Sequence, residues 1–121
     1  MRVKYKGSVP QQVSGQGVES LDPQREYVVL EISTLPGRPS YFRIEVLSGD
    51  APALFDVRLF EVTSPQIPSS WVASLQDDGL LTVGPLSWRT PGFWEAYLNR
   101  ERWALKAYEQ ECRKVLTSTT D

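Results

Sequence analysis

Apolar and polar positions along this chain of 121 residues change their period once. From Met1 to about Val83 they favour strands, and after Pro85 they favour helices. Arg2-Val3-Lys4-Tyr5 alternates polar with apolar and is ended by Gly7 and Pro10, which predicts a short first strand. Ser8 to Pro23 holds little that could be buried, and Ser14-Gly15-Gln16-Gly17 is flexible by composition, so a long mobile loop is expected. Tyr27-Val28-Val29-Leu30-Glu31-Ile32 is β-branched and aromatic, opened by Asp22-Pro23 and closed by Leu35-Pro36-Gly37-Arg38-Pro39. It should pair as a hairpin with Tyr41 to Val46, where Phe42, Ile44 and Val46 take one face and Arg43 and Glu45 the other.

Beyond a turn at Ser48-Gly49-Asp50, Ala53-Leu54-Phe55 leads into Val57 to Val62, apolar at odd and even positions alike and expected to be one strand covered on both sides. Trp71 to Leu75 and Leu80 to Val83 flank Gln76-Asp77-Asp78-Gly79, where Asp-Gly supplies the positive φ of a tight turn and predicts a second hairpin. Next, Thr90 is placed to cap a helix with Pro91 at its first position, and Phe93, Trp94, Tyr97 and Leu98 follow at helical spacing. Asn99 ends this helix or caps the next. There Ala104, Tyr108, Cys112 and Val115 form an apolar stripe with Leu105 and Leu116 beside it, while Glu101, Lys106, Glu109 and Arg113 face outward. Thr117 to Asp121 should fray. The expected fold is α+β in a single domain over 1–121. A small antiparallel β-sheet or SH3-like barrel (1–84) is followed by a C-terminal helical hairpin (85–117) packed on it.

Composition narrows the chemistry. The chain has no histidine and a single cysteine, Cys112. Without histidine it lacks the usual general base at neutral pH and the commonest metal ligand, which argues against an enzyme and against a metal or cofactor site. The net charge is -2, and the basic residues are scattered, so a broad phosphate-binding face is not expected. One cysteine cannot form an internal disulfide, and no charged segment followed by an apolar run opens the chain, so a reducing cytoplasm is the expected compartment. Every apolar run is too short to span a membrane.

Individual candidates have plain structural readings. Asp77-Asp78-Gly79 reads as a hairpin tip, and no oxygen ligands recur at the spacing of a calcium loop. Cys112 lies on an apolar stripe and reads as a small buried hydrophobe. Ser69, Ser70 and Ser74 have no histidine to activate them. The tryptophans are less easily absorbed: Trp71, Trp88, Trp94 and Trp103 crowd the C-terminal half, and tryptophan both fills cores and anchors interfaces. Phe93 and Trp94 are adjacent in sequence and cannot share one helix face, so at least one aromatic is expected to be exposed.

Met1-Arg2-Val3-Lys4-Tyr5, Leu21 to Ile32, Phe55-Asp56, Phe60-Glu61-Val62, Ile67-Pro68-Ser69-Ser70-Trp71 and Pro91-Gly92-Phe93-Trp94-Glu95-Ala96-Tyr97 together resemble a family of small bacterial proteins. Some relatives in that family are immunity proteins of contact-dependent inhibition and related polymorphic-toxin systems. The resemblance covers most of the chain and implies a non-enzymatic protein that binds one toxin domain and occludes its active site. Where similar chains have an acidic turn after the Pro-Gly-Phe-Trp-Glu stretch, this one has Leu98-Asn99-Arg100-Glu101-Arg102.

The expected partner is therefore a protein toxin domain, a nuclease in the sharpest form, met by Asp77, Asp78, Trp94, Trp103, Glu109 and Glu111. Two other readings stay open. A nucleic-acid-binding barrel would gather Arg2, Lys4, Lys6, Arg43 and Arg58 into a basic strip. An SH3-like adaptor would expose Tyr and Trp near the Pro36 loop to hold an extended peptide.

Overall fold

The computed structural model describes residues 1–47 and 49–118. Its strands are β1 (Arg2–Tyr5), β2 (Glu26–Thr34), β3 (Tyr41–Ile44), β4 (Ala53–Asp56), β5 (Phe60–Ser64), β6 (Trp71–Leu75) and β7 (Leu81–Pro85). Two helices follow, α1 (Phe93–Leu98) and α2 (Arg102–Ser118). This is the α+β order expected, an antiparallel sheet first and a helix pair last. Five strands lie in the order β4-β3-β2-β1-β5, and a 3-10 turn at Val57–Leu59 joins the two end strands. The sheet stays open, with no β4–β5 ladder among the described residues, so of the two forms expected the open antiparallel sheet is the one that forms and the closed SH3-like barrel is not.

β2 organises the rest because its nine residues give one edge room for two partners. Its first turn of ladder takes β1 (Arg2↔Val28 to Lys4↔Glu26), and its last takes β7 (Ile32↔Val83 to Thr34↔Leu81). The other edge pairs with β3, with a register shift between Val29 and Glu31. Through that irregularity Val29 and Ile32 both align with the apolar positions of β3, Ile44 and Phe42, and Glu31 aligns with Arg43. Val3, Val29, Phe42, Ile44, Phe55, Leu59 and Phe60 form the enclosed core, and the Phe60 ring meets Phe42 and Phe55 edge-on.

Three expectations are corrected here. The segment Ser8 to Pro23 is not free of the core: Leu21 is buried, and Val13 and Val18 pack against the cluster. A 3-10 turn at Val18–Ser20, entered through Gly17 at φ +84°, lays it down. Val57 to Val62 is not one strand. Asp56 Oδ1 accepts the Arg58 N–H at 2.9 Å and its carboxylate pairs with the Arg58 guanidinium, so the chain turns for three residues before β5 begins, leaving Val62 exposed. The hydrogen bond from Arg58 holds the Asp56 carboxyl below its usual range. Lastly, Thr90 does not cap α1. A 3-10 turn at Leu86–Arg89 occupies the approach, the Thr90 hydroxyl donates back to the Ser87 carbonyl, and Gly92 at φ +76° starts the helix.

The Asp-Gly hairpin forms as expected. Gly79 carries the positive φ (+91°), and Asp78 Oδ1 accepts the Leu80 N–H at 3.0 Å, so one aspartate of the pair is used by the turn itself. Asn99 ends α1, and Arg100 at φ +59° reverses the chain into α2. Ala104, Tyr108 and Val115 are buried as the stripe requires, Cys112 is half-buried, and Leu116 is exposed. α2 continues through Ser118, while 119–121, like Ser48 of the turn at 48–50, lie outside the described residues. No helix among the described residues is long and apolar enough to cross a membrane.

Candidate partner-binding surface

Alternation puts Glu31 and Ser33 of β2 on the face opposite the Val29–Ile44 core. Arg43 and Leu54 align with Glu31 along one row, and Ser74 and Thr82 align with Ser33 along the next. The 3-10 turn at Leu86–Arg89 and the start of α1 cover part of this face and leave an open cleft of about 470 Å³ over it, lined by Glu31, Ser33, Arg43, Ser74, Thr82 and Trp94.

Glu31 is 2% exposed. A buried carboxylate must be paired to remain charged, and two arginines supply the pairing. Arg43 Nε donates to Oε1 at 3.0 Å, and Arg89 Nη2 stands 2.7 Å from Oε2. The second contact is an ion pair at close range, without the alignment of a hydrogen bond: Arg89 Nε and Nη2 and Glu31 Oε2 are buried with no hydrogen-bond partner. Arg43 is held from its other side by Trp94, whose ring centroid lies 3.8 Å from the guanidinium carbon.

Behind Trp94 the rings form a continuous stack. Trp88 lies parallel to Phe93 (centroids 5.9 Å apart) and to Tyr108 (5.3 Å), while Trp94 meets Trp88, Phe93 and Tyr97 edge-on. Tyr108 donates to Glu45 Oε2 at 2.6 Å, and Glu45 Oε1 accepts the Gly49 N–H, tying α2 to the segment after β3. Burial and the bond to Glu45 push the Tyr108 phenol far up, and burial pushes the Cys112 thiol up to about 12. Neither is poised to react at neutral pH.

The stack reaches solvent at the α1–α2 corner. Trp103 is 44% exposed, yet its ring rests edge-on against buried Phe93 at 6.0 Å and its indole N–H donates to Glu101. Leu98, at the end of α1, is 74% exposed. A second open groove, about 540 Å³, runs from Leu98 along α2 past Leu105, Cys112 and Leu116, with Glu45 on its opposite side. A further groove, about 580 Å³, lies under Gly17, Tyr41, Val46 and Phe55 and gathers no comparable set of charges.

The six residues expected to meet a partner are not brought together in one lining. Trp94 sits in the cleft, half-buried under Arg43, and Trp103 stands at the corner. Asp77 and Asp78 are exposed at the β6–β7 tip. Glu109 and Glu111 form ion pairs along α2 with Arg113 and Lys114. Of the basic strip, Arg43 and Arg58 are held in ion pairs, and Lys4 lies between Glu26 and Glu61 in register. The aromatic cluster gathers around Trp88 and α1, and Pro36 of the adaptor reading packs instead near Gly79.

Sequence reading missed the charged triad. Its one signal was Glu31, a lone charge inside an apolar run, where burial demands a counter-ion. No family model matches this chain, and no curated protein or solved structure does either.

Proposed function

We propose that this protein acts by binding another protein, and that the partner is a toxin domain whose active site it occludes. The observation that carries the reading is Trp103: a large aromatic surface held exposed against a buried ring stack, at the same α1–α2 corner as exposed Leu98. A pre-ordered aromatic anchor loses little entropy on docking and is the commonest kind of interface hot spot. The covered carboxylates are engaged structurally, Glu31 by two arginines, Asp56 by Arg58 and Glu45 by Tyr108, which supports action without catalysis. Asp77 and Asp78 leave a negative tip that would steer a basic partner.

The test is co-expression with candidate toxin domains followed by co-purification. The native chain should restore growth and co-purify with the toxin, Trp103→Ala should weaken binding by about 2 kcal/mol or more, and charge reversal at Asp77 and Asp78 should slow association at low salt. Failure to bind or protect would refute the toxin reading, and undiminished binding by Trp103→Ala would remove the corner from the interface.

A further inference from the structure

Among the described residues the sheet has three edge strands, β4, β5 and β6, and an edge exposes unpaired N–H and C=O groups that recruit another strand unless something blocks them. β4 is four residues long and runs straight into the 3-10 turn at Val57–Leu59. β5 carries Glu61 and a register irregularity against β1. β6 has neither device. Trp71-Val72-Ala73-Ser74-Leu75 contains no charge and no proline, and its pairing with β7 is regular over all five residues.

The register says which groups face outward. Gln76 N–H donates to Leu80 C=O, so Gln76 and Leu80 are a hydrogen-bonded pair and the ladder alternates from there. Ser74 and Val72 bond inward to Thr82 and Gly84, while Ala73 and Leu75 point their N–H and C=O away from β7. The N–H of Trp71 is already taken by the Pro68 carbonyl. The free edge is therefore Ala73 to Leu75 with the Trp71 carbonyl. Ala73 is exposed, and Leu75 is 72% exposed, a large apolar side chain standing beside unpaired backbone.

We infer that β6 pairs antiparallel with β6 of a second copy of this chain, about a two-fold axis at Ala73. The strand is complementary to itself. Ala73 N–H and C=O bond to the same groups of the other Ala73, and each Leu75 N–H reaches the other Trp71 C=O, for which no donor is otherwise in register. On one face each Leu75 stands directly across from the partner's Trp71, whose ring is buried in its own core, and the two Ala73 methyls lie between these pairs; on the other Ser74 meets the partner's Val72. No like charges face each other, as they would if β5 paired with itself through Glu61. The axis stands perpendicular to the sheet, so the two clefts over Glu31 open on the same side of the pair. A five-residue seam buries less than the roughly 1,200 Å² of a stable interface, so the dimer is weak and depends on concentration.

Sedimentation velocity on the whole chain, from low micromolar concentration upward, tests this. The weight-average coefficient should climb from monomer to dimer and stop there, and the Ala73 and Leu75 amides should gain exchange protection with concentration. Ala73→Pro deletes an outward N–H while leaving the β7 ladder intact, and should weaken dimerisation at least tenfold. Leu75→Lys, which keeps every backbone bond, should do the same and guards against a folding defect in the proline variant. A monomer at every concentration, a larger assembly, or a dimer indifferent to Leu75→Lys would overturn the inference.

Discussion

Arg89 and Glu31 meet across the backbone of Gly84: the guanidinium Nη2 stands 2.7 Å from Glu31 Oε2, and a Cβ on Gly84 would come 2.6 Å from that nitrogen and 3.1 Å from Glu31 Cγ. The φ of Gly84 is not positive, so the glycine is needed there for space and not for backbone freedom. Gly84→Ala should cost about 1–3 kcal/mol in urea unfolding, because the pair must move apart. In an Arg89→Ala background the same change should cost less, which a double-mutant cycle would show.

Glu31 is the shared counter-ion of two arginines that are themselves largely covered. Glu31→Gln keeps the shape and removes the charge, leaving both guanidinium groups without their counter-ion. Stability should fall by about 3 kcal/mol or more. Fluorescence of Trp94, which stacks on Arg43, should change in the same variant while it is still folded.

Two tryptophans of one ring stack should respond oppositely. Trp88 is buried between Phe93 and Tyr108, and Trp88→Ala should cost about 3–5 kcal/mol. Trp103 is exposed, and Trp103→Ala should change the unfolding free energy by about 0.5 kcal/mol or less. A large loss from Trp103→Ala would make that ring structural.

Cys112 should be inert while the protein is folded. Burial raises its pKa from 9.0 to about 12, so the neutral thiol is favoured in the native state. The resulting stabilisation is fully present below pH 9 and is lost as pH climbs toward 12. At pH 8 a disulfide reagent should label the native protein at least about a hundredfold more slowly than the urea-unfolded chain. Cys112→Ser should flatten the alkaline limb of the stability profile.

Much of the architecture was legible because its signals are local. Alternation in Arg2–Tyr5 and Tyr41–Ile44, the Asp-Gly turn at Gly79, and the helical stripe Ala104, Tyr108, Val115 each depend on residues a few positions apart. Where the reading failed, a side chain redirected the backbone: Asp56 turned Val57–Leu59 into a 3-10 turn, and the hydroxyl of Thr90 bonded backward to Ser87. Period alone could not weigh those bonds against a continued strand or an earlier cap. Val13, Val18 and Leu21 looked too sparse to be buried, yet Leu21 is buried and Val13 and Val18 are partly covered because the loop folds over the core.

By itself the sequence determined the apolar faces of β1 and β3, the Asp-Gly turn at Gly79, and that helices follow the sheet, since these depend on side-chain period and turn chemistry. Tertiary structure alone decided that the polar face of β2 and β3 is covered, that Glu31 there draws in Arg43 and Arg89, and that β6 is left with a bare edge. Alternation reports the side of a strand on which a residue lies. It carries no information about what packs against that side, because the covering groups come from distant parts of the chain and meet it only when the core closes.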